Sequence, residues 1–435
     1  MRYITPLALL LFTASCSHQV VTQIQYVPRT LVVHDTVSIA QDGTARHPLD
    51  QKAWGVLSRH SYFTERTNIG VCVADLDTGD TLVAIDANKR LRTASTMKAI
   101  TAITALATVA DTANAFATRV MTDGNRLWVR GGYDPLISRA ALVMTAARAA
   151  SKLRSGCSDA EMRSAVEQAM RSKTVALPTS LACNTDGQDT RHYGSGWCWD
   201  DHNPQLTPLF YGPITQTRKR QPIDRPEEDF MNVFNNAWRS ARATASPSED
   251  EVMAMLRSKL GTSQWEVAAV TRSLSTVMRP MLKESDNLMA EAVWRLTGNT
   301  TSERADAMSR VARMAGVSDM DYVQADGSGL SLYDYCTPSA FVKLLSWADR
   351  QRFVPWLRAA LPHMGVDGTL ANRSVYGARI EAKTGTVEGV ITLVGYMTTT
   401  SGRRLAFAVM MNGVPSKSDA REVTDALLTA IANGV

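Results

Sequence analysis

The chain has 435 residues, of which 45% are hydrophobic and 20% charged, and its formal net charge is +5 at pH 7. This composition is typical of a globular protein, and the length exceeds what one hydrophobic core usually supports, which predicts two or three domains. The charge is a mild bias over 435 residues, and no stripe of basic and aromatic residues indicates nucleic-acid binding.

The N-terminus has the pattern of an export signal. An apolar run from Leu7 to Phe12 is too short to span a bilayer, and Thr13-Ala14-Ser15 then leads into Cys16. Small residues before a cysteine are typical of a bacterial lipoprotein cleavage site. We expect residues 1–16 to be a signal peptide, Cys16 to be a lipidation site that anchors the chain to a membrane face, and 17–48 to be a polar tether. Plain signal cleavage and an uncleaved anchor are the alternatives.

Strands are predicted near both ends of the remaining chain. Ile69 to Ala74 is a short apolar run, and Thr81 to Ile85 reads as its returning strand. Ser95 then opens a helix rich in Ala, Ile and Leu. Near the C-terminus, Val390 to Met397 and Leu405 to Met411 predict two more strands, followed by a last helix. One sheet built from both ends of the chain would join these strands.

This arrangement predicts an α+β protein with inserted material. Residues 49–109 and 265–435 would form one domain, and residues 110–264 would form one or more domains inserted into it. No later segment is long and apolar enough to span a bilayer. The seven histidines are scattered, and no Cys/His spacing indicates a metal site, so we expect neither a metal nor a cofactor.

The first of three chemical motifs is Ser95-Thr96-Met97-Lys98, which has the form S-x-x-K. Positions i and i+3 share one face of a helix, so the Lys98 amine can reach the Ser95 hydroxyl. The backbone N–H of Ser95, at the start of a helix, would be unpaired and could donate to a developing oxyanion. A capping serine followed by a surface lysine is the common alternative for this pattern alone.

The second motif, Ser285-Asp286-Asn287, falls between two segments with helical periodicity. A serine hydroxyl at such a break could relay a proton between a lysine and a leaving group. The amide of Asn287 could bind both a substrate carbonyl and Lys98. Taken alone, the same three residues are also an ideal helix N-cap.

The third motif, Lys383-Thr384-Gly385-Thr386, begins the C-terminal hairpin. Glycine in a strand often marks the close approach of a ligand or of another backbone, and an extended peptide can pair with such a strand. The Thr386 N–H would be a second oxyanion donor, and Lys383 and Thr384 would hold a terminal carboxylate. The alternative is an ordinary surface strand.

The pKa of Lys98 would depend on the charge of Lys383. Lysine has an ordinary pKa of about 10.4, so Lys98 needs a shift of ~3 units to be largely neutral near pH 7. Burial and a nearby positive charge both lower a lysine pKa. Lys383 is the candidate for that second charge, which would leave Lys383 charged and Lys98 available as a base.

The order S-x-x-K, S-x-N, K-T-G resembles the D-alanyl-D-alanine carboxypeptidase/endopeptidase family of penicillin-binding proteins, of the low-molecular-mass class C type. Further segments share this resemblance: Arg130-Gly131-Gly132, Gly196-Trp197, Asp326-Gly327-Ser328-Gly329-Leu330-Ser331 and Gly365-Val366-Asp367-Gly368-Thr369-Leu370. The resemblance implies a penicillin-binding transpeptidase-like domain, an antiparallel sheet flanked by helices, with a domain inserted between the first two motifs. The insert is shorter than usual for the family, which leaves the number of inserted domains open.

The resemblance also implies roles for the site residues. Ser95 would be the acylated nucleophile and Lys98 its base. Ser285 and Asn287 would form a second wall of the pocket. The third wall would consist of Lys383, Thr384, Gly385 and Thr386.

The implied activity is serine-type hydrolysis of D-Ala-D-Ala bonds or D-alanyl cross-bridges in peptidoglycan peptides, with inhibition by β-lactams. The implied location is the bacterial envelope, with the enzyme facing the periplasm. A serine β-lactamase and a non-catalytic penicillin-binding envelope protein are the alternatives. Between Asn287 and Lys383 there is no convincing E-x-x-L-N loop for a deacylating glutamate, and the three intact motifs argue against an inactive scaffold.

Overall fold

The computed structural model describes residues 47–60, 67–122, 127–155, 180–189, 194–198, 207–209, 225–242 and 264–435. The predicted signal peptide, Cys16 and all but the last two tether positions lie outside these residues. Among the helices that are described, none is long and apolar enough to cross a bilayer.

Strands and helices are numbered here in chain order. The strands are β1 (Asn68–Asp75), β2 (Thr81–Ile85), β3 (Leu91–Arg92), β4 (Phe116–Thr122), β5 (Leu127–Arg130), β6 (Ala182–Cys183), β7 (Trp265–Arg272), β8 (Tyr322–Val323), β9 (Tyr335–Cys336), β10 (Ala378–Val387), β11 (Val390–Thr399) and β12 (Arg404–Asn412). The helices are α1 (Pro48–Leu57), α2 (Met97–Thr108), α3 (Arg139–Ser155), α4 (Pro226–Arg242), α5 (Leu274–Lys283), α6 (Asn287–Arg295), α7 (Thr301–Met314), α8 (Pro338–Asp349), α9 (Val354–Ala360) and α10 (Lys417–Ala432).

A five-stranded sheet joins the two ends of the chain. Its strand order is β10-β11-β12-β1-β2, and every neighbouring pair is antiparallel. The pairing of β1 with β12, for example of Val71 with Val409, brings the N-terminal hairpin beside the C-terminal strands. The prediction of one sheet built from both chain ends is therefore confirmed.

Helices cover both faces of this sheet. Because side chains alternate along a strand, Val71 and Val73 of β1 enter one core with Leu427 of α10, whereas Cys72 and Ala74 enter another with helices α2, α5 and α6. Full burial of each valine or leucine contributes about 1.5–3 kcal/mol. The predicted α+β class, an antiparallel sheet flanked by helices, is confirmed.

A second sheet lies between the first two motifs in sequence. Its strand order is β6-β5-β4-β7, and helices α3 and α4 bury apolar side chains against it in a core of their own. We propose that this sheet and its helices form the inserted domain. The predicted boundary after residue 264 leaves β7 outside, although β7 pairs with β4. We therefore place the end of the proposed inserted domain after Arg272.

A small sheet of order β3-β9-β8 lies beside the first motif in sequence. Strand β3 comes two residues before Ala94, and it pairs with β9 through Leu91 and Cys336. The segment that precedes β9 is thereby fixed next to the chain that leads into Ser95. Strands of two residues have no readable periodicity, and the sequence did not indicate them.

Candidate active site

Ser95 lies in a tight turn at the start of α2, a helix whose first nine residues are all buried. The turn is a 3₁₀ segment, Ala94–Thr96, and α2 begins two residues after Ser95, slightly later than the sequence predicted. Ala94 has a φ of +45°, which is unusual for a residue with a Cβ atom and stores strain at this position. Ser95 itself is partly exposed, whereas its neighbours Ala94 and Thr96 are buried.

Lys98 is fully buried one helical turn below Ser95. Its Nζ lies 2.9 Å from Ser95 Oγ, 2.6 Å from Asn287 Oδ1 and 2.7 Å from the carbonyl oxygen of Ser328. The amide oxygen and the carbonyl oxygen can only accept hydrogen bonds. A neutral Lys98 amine can therefore donate its two N–H groups to these oxygens, which leaves its lone pair facing the hydroxyl of Ser95.

The environment of Lys98 lowers its basicity. Burial lowers the pKa of Lys98 from 10.5 to about 8, against the opposing attraction of nearby carboxylates, of which Asp326 has the largest effect. The shift brings the neutral amine into the range in which a general base works near neutral pH.

Lys383 on β10 is the second buried amine of the site. Its Nζ donates to Ser285 Oγ at 3.0 Å and to the carbonyl oxygen of Thr384 at 2.7 Å. Burial, and then the charge of Lys98, hold the pKa of Lys383 well below its ordinary value. Burial therefore disfavours the charged form of Lys383, the amine that was expected from the sequence to be the charged partner of the pair.

The second motif forms the break between α5 and α6. Ser285 has a φ of +60°, which reverses the chain between the two helices, and its hydroxyl faces Lys383. Asp286 is the N-cap of α6, and its carboxylate accepts from the N–H of Met289 at 3.0 Å. Asn287 is the first residue of α6. The motif thus combines both predicted roles: Asp286 caps α6, while its neighbours Ser285 and Asn287 contact the two lysines.

The third motif lies on an edge strand. Residues 362–364 cover the first half of the free edge of β10: the N–H of Ala382 donates to Pro362, and the N–H of Met364 donates to Ile380. Because alternate residues of a strand direct their backbone groups to the same side, Thr384 and Thr386 present theirs at the same edge. In the described part of the chain no strand or loop pairs with this second half of the edge, where the carbonyl oxygen of Thr384 accepts from Lys383 Nζ.

Gly385 allows β10 to approach the Ser95 turn. A Cβ atom at this position would lie 2.1 Å from Thr392 Oγ1 and 2.7 Å from the carbonyl oxygen of Thr93. Next to it, Thr384 Oγ1 lies 2.7 Å from the hydroxyl of Thr369. The glycine therefore permits contact between two backbones, which is one of the two causes the sequence suggested.

The structure brings the three motifs together as two hydrogen-bonded groups, and the amines of the two groups lie close enough for the charge of Lys98 to act on Lys383. Lys98 contacts Ser95 and Asn287 directly, and Lys383 contacts Ser285 and Thr384. Further contacts come from residues to which the sequence analysis gave no role: Asp326, Ser328, Glu291 and Thr369. Three of them lie in or beside segments that shared the family resemblance, and their Gly-rich turns were the available signal.

Comparison with known proteins agrees with this arrangement. The chain is 28% identical over 156 residues to D-alanyl-D-alanine carboxypeptidase DacB of Haemophilus influenzae, which covers 33% of this chain and 33% of the relative. It is 34% identical over 170 residues to a D-alanyl-D-alanine carboxypeptidase of Actinomadura sp., covering 35% of this chain and 31% of that one. The chain thus matches about a third of the length of these curated relatives.

The fold also has a close counterpart. The crystal structure of penicillin binding protein 4 (dacB) from Haemophilus influenzae covers 87% of this chain and 98% of its own, with a TM-score of 0.58 and 17% sequence identity. This likeness shows the penicillin-binding transpeptidase-like fold. The model of the D-Ala-D-Ala carboxypeptidase 3 (S13) family matches residues 62–207 and 213–433, which include all three motifs. With most of its length covered by that match, the chain belongs to the D-Ala-D-Ala carboxypeptidase 3 (S13) family.

Proposed function

We propose that this chain is a serine-type D-Ala-D-Ala carboxypeptidase or D-alanyl endopeptidase that acts on peptidoglycan stem peptides through an acyl-enzyme on Ser95. The observation that carries the proposal is the position of Lys98 Nζ, 2.9 Å from Ser95 Oγ and held by two acceptors. Membership of the S13 family and the names of the curated relatives support the same activity.

Acylation begins at the Lys98–Ser95 pair. Neutral Lys98 takes the Ser95 proton as Oγ attacks the carbonyl carbon of the penultimate D-alanine, and the carbonyl oxygen becomes an oxyanion. The backbone N–H groups of Ser95 and Thr386 would donate to it, each contributing about 10²–10³ in rate. A substrate strand paired with the free edge of β10 would be oriented for this attack.

Collapse of the tetrahedral intermediate needs a proton on the leaving nitrogen. The hydroxyl of Ser285, which accepts from Lys383, can give its proton to that nitrogen and be reprotonated from the lysines. The C–N bond then breaks, and D-alanine or a cross-bridge amine leaves. Water next attacks the ester, and Ser95 recovers its proton. The terminal carboxylate would lie near Lys383 and Thr384, where its charge favours the protonated amine of Lys383.

A β-lactam follows the same first step. Attack by Ser95 opens the lactam ring, and the ring nitrogen stays attached to the acyl group, so the ester persists. The structure of penicillin binding protein 4 from Haemophilus influenzae in complex with a β-lactam has the same fold, with a TM-score of 0.56. This supports our proposal that β-lactams inhibit the chain.

The proposed site of action is the bacterial envelope. Peptidoglycan peptides are the proposed substrate, and the export signal and Cys16 would place the enzyme on a membrane face towards the periplasm. Lipidation predicts that the intact chain fractionates with membranes, whereas a Cys16→Ser chain with a cleavable signal is released in soluble form. Equal solubility of both chains would contradict the anchor.

The experiment that tests the activity is the release of D-alanine. Purified protein is incubated with an acylated peptide ending in D-Ala-D-Ala and with cross-linked peptidoglycan fragments, and the products are separated by mass. We expect D-alanine or cleaved cross-links from the wild type and none from Ser95→Ala. Folded wild-type protein that releases neither would refute the proposal. Fast turnover of penicillin, without a persistent acyl-enzyme, would instead support a β-lactamase.

A further inference from the structure

A buried loop forms a fourth wall beneath the serine and the lysine. We call residues Asp326–Ser331 the Asp326 loop. The carbonyl oxygen of Ser328 accepts from Lys98 Nζ at 2.7 Å. Gly329 packs so closely on the turn that holds Ser95 that a Cβ atom there would lie 1.8 Å from the carbonyl oxygen of Ala94. The loop therefore contacts Lys98 directly and packs against Ala94, the residue next to Ser95.

One carboxylate determines the shape of this loop. Oδ1 of Asp326 accepts from the N–H groups of Ser328 at 2.8 Å and Gly329 at 2.6 Å, and Oδ2 accepts from the N–H of Ser331 at 2.8 Å. The indole N–H of Trp197 also donates to Oδ2, at 2.7 Å. Asp326 is 0% exposed, so these hydrogen bonds operate without competition from water.

The loop also joins the two helices that carry Lys98 and Asn287. Thr101, one turn after Lys98 on α2, donates its hydroxyl to the carbonyl oxygen of Gly327 at 2.8 Å. Glu291, one turn after Asn287 on α6, accepts from the N–H of Gly327 at 2.8 Å. One loop residue, Gly327, is therefore hydrogen-bonded to both helices, through its carbonyl oxygen to α2 and through its N–H to α6.

Several titratable groups lie around Lys98 on the neighbouring elements. They are Asp326 and Asp334 at either end of the segment before β9, Asp286 and Glu291 on or next to α6, and Lys383 on β10. Burial, and then the Asp326 carboxylate, raise the pKa of Asp334 well above its ordinary value, which favours its uncharged form. Burial and Asp326 also raise the pKa of Glu291 to about 7. Asp326 is the carboxylate with the largest effect on Lys98.

We propose that Asp326 is a positioning residue for acyl transfer: it holds the Ser328 carbonyl group against Lys98, and its negative charge acts on the Lys98 amine. The proposal rests on the proposed function, since it assigns a role within the same reaction. Asp326 touches neither the substrate nor the reacting atoms. It acts through Ser328 and through the electrostatic field at Nζ.

The test compares two substitutions that separate geometry from charge. Asp326→Asn keeps one acceptor oxygen but directs an NH₂ group at two donors, the Ser331 N–H and the Trp197 indole, and it removes the charge. Trp197→Phe removes one donor and no charge. Asp425 lies on α10 and forms a partly buried ion pair with Arg373. Asp425→Asn is therefore the matched control, because it makes the same chemical change away from the site. The measurement is the rate of acylation by a fluorescent penicillin between pH 5.5 and 9.5.

For Asp326→Asn we expect a rate about 10²-fold lower at the optimum, since small displacements of a reacting group cost about that much. We also expect the rise of the rate with pH to move to lower pH by about one unit, because removing an opposite charge lowers the Lys98 pKa. Trp197→Phe should lower the acylation rate without shifting the pH at which that rate increases. Asp425→Asn should change neither the rate nor its pH dependence.

The outcomes are separable. A folded Asp326→Asn protein with a wild-type rate, or with a lower rate and an unmoved pH profile, would overturn the proposal. If that protein does not fold, as judged by circular dichroism, Trp197→Phe decides: a wild-type acylation rate would overturn the role of the loop. Absence of acylation in the wild type would instead count against the proposed function.

Discussion

Acylation of Ser95 should follow the protonation of Lys98, because only the neutral amine can accept the serine proton. Burial lowers the pKa of Lys98 from 10.5 to about 8. An amine with a pKa of 8 is about 9% neutral at pH 7, against about 0.03% for one with a pKa of 10.5. Burial therefore increases the reactive fraction at pH 7 by about 300-fold, and the rate should rise about tenfold per pH unit below 7 and level off above 8.

The assay is the second-order rate constant for labelling by a fluorescent penicillin, measured by rapid quenching at constant ionic strength. Glu291 ionises in the same range, with its pKa raised to about 7, and its charge acts on Lys98. Glu291→Gln removes this second titration and keeps an oxygen for the Gly327 N–H, so it serves as the control. A rate that does not depend on pH, or one that still rises steeply above pH 9.5, would rule out a Lys98 amine with a lowered pKa as the base.

Three further predictions concern the substrate edge, the glycine and a buried ion pair. Thr384→Val should lower kcat/KM for D-alanine release about tenfold or more, because it removes a hydroxyl proposed to bind a carboxylate. Gly385→Ala should lower both acylation and thermal stability, whereas Gly55→Ala, with open space around it on α1, should stabilise by about 0.5–1 kcal/mol. Asp189→Ala should cost about 3 kcal/mol of unfolding free energy in urea, because Arg304 is fully buried against it.

Each of these predictions has a distinct control. Thr399→Val, at the opposite end of the sheet, should leave D-alanine release unchanged. Lys417→Ala breaks an exposed ion pair with Glu388 and should cost less than about 1 kcal/mol. A Gly385→Ala enzyme as fast as Gly55→Ala, or an Asp189→Ala protein as stable as Lys417→Ala, would contradict the packing and burial on which the predictions depend.

The sequence predicted those parts of the fold that have a local signature. The apolar run of β1 and its return in β2 indicated a hairpin, and the C-terminal strands were placed within a few residues of their observed ends. The break at Ser285 was predicted because helical periodicity stops on one side and resumes on the other. These signals are short-range. The strands read as continuous apolar runs because both faces of the central sheet are buried.

The parts that were missed depend on contacts between distant residues. The Asp326 carboxylate reaches Trp197, and Lys98 reaches Ser328, across more than a hundred positions of sequence, so no spacing rule could indicate them. The charge on Lys383 depends on contacts of the same long-range kind. The protonation of a lysine depends on its burial and on its neighbours, and the sequence shows neither before the chain is folded.

Ser95 is proposed as the nucleophile, and Lys98 as the base that activates it. Both roles are tested by locating the covalent adduct after penicillin treatment, using proteolysis and tandem mass spectrometry on the wild type and on Lys98→Met. We expect one acyl group, on the peptide that contains Ser95, formed at least about 10²-fold more slowly when the base is lost. An adduct on another residue, or an equally fast reaction without the Lys98 amine, would contradict these roles.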